Sequence, residues 1–129
     1  MEVSKIYIAP LKRTFSVRHT NKLMKMSYKF QLVMSKMGTI SDNDDPDEQL
    51  SIAGEYAQAL TDFPKSALKL TDKQVYALDD TEQDELQKIN VRLALTIQGL
   101  SKKNIDATVA DMEKAGSEVS SEDAKKSTK

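Results

Sequence analysis

The chain has 129 residues, of which 39% are hydrophobic and 30% charged, and its net charge is −1. That length predicts one folded core, and the balance lies short of a fully disordered composition. With no cysteine, disulfides, thiolate chemistry and cysteine-ligated metal centres are excluded.

Charge is unevenly placed. Residues 1–37 carry eight Lys and Arg against the single acid Glu2, a balance of +7, whereas residues 41–91 carry thirteen acids against four lysines, a balance of −9. Segments of opposite sign attract, within one subunit or between neighbours. No apolar run has signal-peptide length or approaches the roughly 20 residues that span a bilayer, so a cytoplasmic protein is expected.

"VSKIYIAPLKRTF" opens with β-branched and aromatic residues and then Pro10. Residues 1–19 therefore predict an extended N-terminal arm or short strand, because proline cannot donate to a ladder. The next segment, "TNKLMKMSYKFQLVMSKMG", predicts the first helix, capped by Thr20 or Asn21. Leu23, Met26, Phe30, Val33 and Met37 recur at helical spacing, Met24, Tyr28 and Met34 widen that stripe, and Gly38 is expected as a left-handed stop.

An acidic turn, "TISDNDDPDEQ", leads to a helix capped by Asp45, with Leu50, Ala53, Tyr56 or Ala57, and Leu60 on its inner face. Pro64 is expected to end or offset it. A short helix follows, capped by Thr71 or Asp72, with Leu68, Val75, Tyr76 and Leu78 requiring burial. The strongest pattern is "DDTEQDELQKINVRLALTIQG", where Leu86, Ile89, Leu93 and Ile97 form a stripe supported by Leu95. Gly99 stops this helix, Ser101 caps the next, and Ile105, Val109 and Met112 continue the pattern. Residues 114–129 hold almost no large apolar side chain and read as a disordered tail. The expected fold is mainly α: a compact bundle of four to five helices over residues 20–113.

Chemistry-bearing motifs are scarce. His19 is the single histidine, which argues against a zinc site and reads as a surface residue. No nucleophile elbow, P-loop or dinucleotide fingerprint occurs among a total of four glycines. "DNDDPDE" has the acid density of a calcium loop but not its geometry. Counting from Asp42, Asp47 falls where glycine is required and Pro46 takes a ligand position. The sequence thus predicts a protein that is not an enzyme and needs no cofactor.

Two features point to binding. Met24, Met26, Met34 and Met37 lie beside Tyr28 and Phe30 on one short helix, and flexible thioethers let such a face adapt to several apolar partners. The same residues can instead fill the protein's own core. "LTIQGLSKKNI" places Gly99, Leu100 and Ile105 at helix-turn-helix spacing, so a DNA-binding regulator built on residues 86–112 is the alternative. Against it, the upstream helix is acidic, and Lys102 and Lys103 are offset by Asp106 and Asp111.

The order of these segments carries a resemblance. A basic N-terminus leads into "NKLMKMSYKFQLVMSKM", an acidic linker follows, and "INVRLALTIQGLSKKNIDA" precedes a charged C-terminus. This layout over residues 20–112 resembles the small tail assembly chaperones of long-tailed bacteriophages, especially those of Gram-positive hosts. The resemblance implies a helical, self-associating protein of the host cytoplasm. Such a protein coats the tape measure protein before the tube polymerises and is absent from the finished virion. Under that reading Met24, Met26, Tyr28, Phe30, Met34, Met37 and Leu95 are the candidate partner-binding residues, and assembly into a ring or spiral is expected. A structural tail or connector component is a further alternative.

Overall fold

The computed structural model describes residues 4–112. Its N-terminal segment is an antiparallel hairpin of β1 (Ser4–Ile8) and β2 (Arg13–Val17), with Ile6 opposite Phe15 and Ile8 opposite Arg13. Pro10 lies in the connecting single-turn 3₁₀ helix Ala9–Leu11, where its fixed φ and missing N–H are harmless, and not on an edge strand. Alternation along β1 buries Ile6 and Ile8 and exposes Lys5 and Tyr7.

α1 (Asn21–Gly38) starts at Thr20, whose hydroxyl accepts from the Leu23 N–H at 3.2 Å. Its end differs from expectation: Gly38 stays outside the left-handed region. The Thr39 N–H and hydroxyl both donate to the Lys36 carbonyl, so no left-handed residue is needed there. After a 3₁₀ turn at Ile40–Asp42, α2 (Pro46–Leu68) opens with the Asp45 carboxylate accepting from the Asp47 N–H. Pro64 does not end α2. The helix runs one turn past it to Leu68 and stops at Lys69, which is left-handed with φ 54°.

α3 (Asp72–Asp79) is held by a reciprocal capping box between Thr71 and Gln74. α4 (Gln83–Ile97) follows and ends at Gly99, which has φ 87°. Ser101 then accepts from the Asn104 N–H and opens a fifth helix, α5, over residues 102–112. The tail expected from residue 114 onward lies outside the described residues.

α4 is the axis of the core. Leu86, Ile89, Leu93 and Ile97 face the main cluster, each contributing on the order of 1.5–3 kcal/mol of burial. The inner face of the hairpin covers α4 on one side, while α1 and α2 cover it on the other, joined by the stacked rings of Phe30 and Phe63 at 5.1 Å. Val91 and Leu95 point to a second cluster with Ile105 and Val109 of α5. Two expected core residues are outside instead: Leu50 is 73% and Tyr76 75% exposed. At roughly 100° per residue, Leu50 sits about 80° off the line through Leu60, and Tyr76 lies nearly opposite the buried Leu78.

Candidate partner-binding faces

α1 presents two different faces. Phe30 and Val33 point inward and are buried, and Ser27 with them. Met24, Met26, Met34 and Met37 are partly buried and pack against the core edge, so they border grooves instead of standing free. Tyr28 turns outward at 53% exposure and Leu32 at 61%. These two are four residues apart, hence neighbours on the helix surface, and the exposed Lys25, Lys29 and Lys36 continue that outer face. Leu95 is far from this strip in character: it is buried between α4 and α5. Sequence reasoning passed over Leu32, although its i+4 relation to Tyr28 was a usable signal.

A groove of about 420 Å³ runs where α1 meets α2. Its apolar floor comes from Met26, Phe30, Val33 and Phe63, with Lys29 on one wall and Glu55 and Asp62 on the other. Toward the C-terminal end of α1, Met34 and Met37 border a second recess of about 370 Å³ with Tyr56 and the polar start of α4. Burial pushes the Tyr56 hydroxyl up to about 12, because ionising it there would place a charge against apolar neighbours.

Polar ties fix these faces to the rest of the molecule. Gln98 donates to the Ser27 hydroxyl at 3.2 Å and to Gln31 at 3.1 Å, and Ser27 in turn donates to the Met24 carbonyl at 2.7 Å. His19 is exposed, as its sequence position suggests, yet it serves as a clasp. Its Nδ1–H donates to the Ile97 carbonyl at 2.8 Å, and Nε2 lies 3.0 Å from the Ser4 hydroxyl. That carbonyl belongs to the last turn of α4, where helix acceptors have no helical donor.

At the α4–α5 corner, Arg92 donates to Asp106 at 2.6 Å, and this hydrogen bond and charge hold the Asp106 carboxyl below the usual carboxylate range. The α4–α5 corner packs Val91, Leu95, Ile105 and Val109 on its inside and carries the Arg92–Asp106 ion pair on its outside. Among the described residues no group of three or more His, Asp or Glu side chains is placed to hold a metal ion, and no helix is long and apolar enough to cross a membrane.

A family model described as phage tail assembly chaperone proteins matches residues 2–114. No curated protein and no solved structure matches the chain.

Proposed function

The chain belongs to the phage tail assembly chaperone family, and on that premise we propose that it binds the tape measure protein. In this reading it keeps the long amphipathic helices of that partner soluble until the tail tube encloses them. The observation that carries the reading is the outward pair Tyr28 and Leu32 on α1, beside the groove floored by Met26, Phe30 and Val33. An amphipathic helix is recognised through anchors at i and i+4 laid on an apolar groove, and methionines let such a surface accept related sequences. Lysines flank the strip on α1 while Glu55 and Asp62 flank the groove on α2, so both signs of charge are available to a partner helix.

The protein acts by binding and not by catalysis, works in the host cytoplasm and leaves before the virion is finished. The +7 and −9 segments support self-association of copies, head to tail, into a ring or spiral. Co-expression with overlapping tape-measure segments tests the first part. Retention of amphipathic segments on the tagged chaperone is expected, and loss of retention when Tyr28 and Leu32 are replaced by serine. Failure to retain any segment overturns the reading. Light scattering tests the second part, with a salt-sensitive oligomer expected and a strict monomer against it.

A further inference from the structure

α1 and α2 run antiparallel: Phe30 stacks on Phe63 deep in the pair, and Gln49 donates to the Ile40 carbonyl near the turn. Their charges keep a seven-residue period. Lys22, Lys29 and Lys36 recur along α1, Glu48, Glu55 and Asp62 recur along α2, and every one of these side chains is exposed. A straight helix drifts by only about 20° over seven residues, so each set forms one line, roughly 21 Å long at about 1.5 Å per residue. Lys29 stands on the α1 wall of the apolar groove, and Glu55 and Asp62 stand on its α2 wall. Lys22, Lys36 and Glu48 continue the same lines beyond it. Among the described residues no ion pair spans the groove, and Asp62 accepts from its neighbour Gln58 at 2.9 Å.

The groove thus has walls of unlike charge, both written at heptad spacing. A helix lying in it with its apolar stripe against Met26, Phe30 and Val33 turns one flank to each wall. In heptad packing those flanks set partner choice and orientation. Turning the guest end for end exchanges its flanks. One direction then sets opposite charges together, and the other sets like charges together.

Given that a tape-measure helix occupies this groove, we propose that the groove selects a heptad helix with one acidic and one basic flank and admits it in a single direction. The acidic flank lies along Lys22, Lys29 and Lys36, and the basic flank along Glu48, Glu55 and Asp62. Walls of one sign would accept such a guest either way round. Unlike walls fix its polarity, so every copy bound along a long helix points the same way.

Three model peptides of identical composition test this against the isotope-labelled full-length protein. All share one apolar stripe of three heptads. The first carries glutamate at every e position and lysine at every g position, the second exchanges the two, and the third alternates both charges on each flank. The first two are expected to bind about tenfold more tightly than the third at low salt, and to lose that advantage near about 1 M salt. A nitroxide at the N-terminus of the first peptide is expected to erase amide signals at one end of the groove only, either Lys22 with Ser66 or Lys36 with Glu48. The second peptide is expected to erase them at the other end. Reversing the sign of all the charges in both lines of the protein should interchange the two results. Equal affinity for the three peptides, or loss at the same end with both flank arrangements, overturns the polarity while leaving the groove as a helix site. Unperturbed Met26, Val33 and Ala59 signals with every peptide overturn the groove itself, and the polarity with it.

Discussion

Asn90 of α4 donates its side-chain amide to the Leu60 carbonyl of α2 at 2.8 Å, in the fully buried interior. Leu60 is the residue four before Pro64, so its carbonyl lacks the N–H that a helix would normally supply. Asn90 takes the place of that donor and bridges to the Leu86 carbonyl at the same time. This is the physical reason that Pro64 sits inside α2 without ending it.

The two positions should therefore be coupled. Asn90→Leu alone leaves the Leu60 carbonyl orphaned. Pro64→Ala returns a backbone donor to it, so the loss caused by Asn90→Leu should shrink by about 1 kcal/mol in the Pro64→Ala background. Urea unfolding of the four proteins measures this. Strict additivity would show that the carbonyl finds another partner.

Gly99 occupies φ 87°, and a Cβ built there meets no atom within 4 Å. Gly99→Ala thus isolates the backbone cost, about 1 kcal/mol, with no steric contribution. Gly99→Asn should recover part of it, because asparagine tolerates the left-handed region better than alanine does. Equal thermal midpoints for wild type and Gly99→Ala would mean that the corner before α5 relaxes freely.

How much of this was legible follows from where each signal resides. Thr20, Asp45 and Ser101 act as caps through bonds within three residues, so local sequence identifies them. The stripe of α4 is equally local, since Leu86, Ile89, Leu93 and Ile97 are buried by one helical period. Pro64 misleads because its remedy comes from Asn90, 26 positions later, and no local rule can see it. Tyr76 and Leu50 mislead because apolar character does not by itself demand burial, and helix phase turns them outward. On the candidate face, the methionines were visible as a cluster. Which of them border a groove, and that Phe30 and Leu95 are interior, depends on how α1, α2 and α5 close around α4.

Tyr56 gives the folded protein an alkaline signature. Its hydroxyl titrates at about 12 when folded, against 10.0 for the ordinary group. The folded state therefore holds this proton more tightly, so the associated stability is complete below pH 10 and declines as pH rises toward 12. Subtracting the ultraviolet titration of Tyr56→Phe from that of wild type should isolate one late-ionising tyrosine. The same variant should lose the steeper alkaline fall in stability. A difference curve centred near 10 would place the side chain in contact with water.

The sharpest separation of folding from function lies on two adjacent turns of α1. Phe30 is 2% exposed and stacks on Phe63, so Phe30→Ala should cost about 3–5 kcal/mol, enough to unfold much of a small domain. Tyr28→Ser and Leu32→Ser remove side chains that already face solvent, and each should change stability by no more than about 0.5 kcal/mol. If this strip anchors a tape-measure helix, the same two changes should together weaken binding by tenfold or more, about 1.4 kcal/mol, because anchors dominate such contacts. Calorimetric titration against a retained segment, run beside thermal unfolding, reads both quantities on one sample. Unchanged affinity in a folded Tyr28→Ser, Leu32→Ser protein would remove α1's outer face from the binding surface and leave the groove of Met26 and Val33 to account for it.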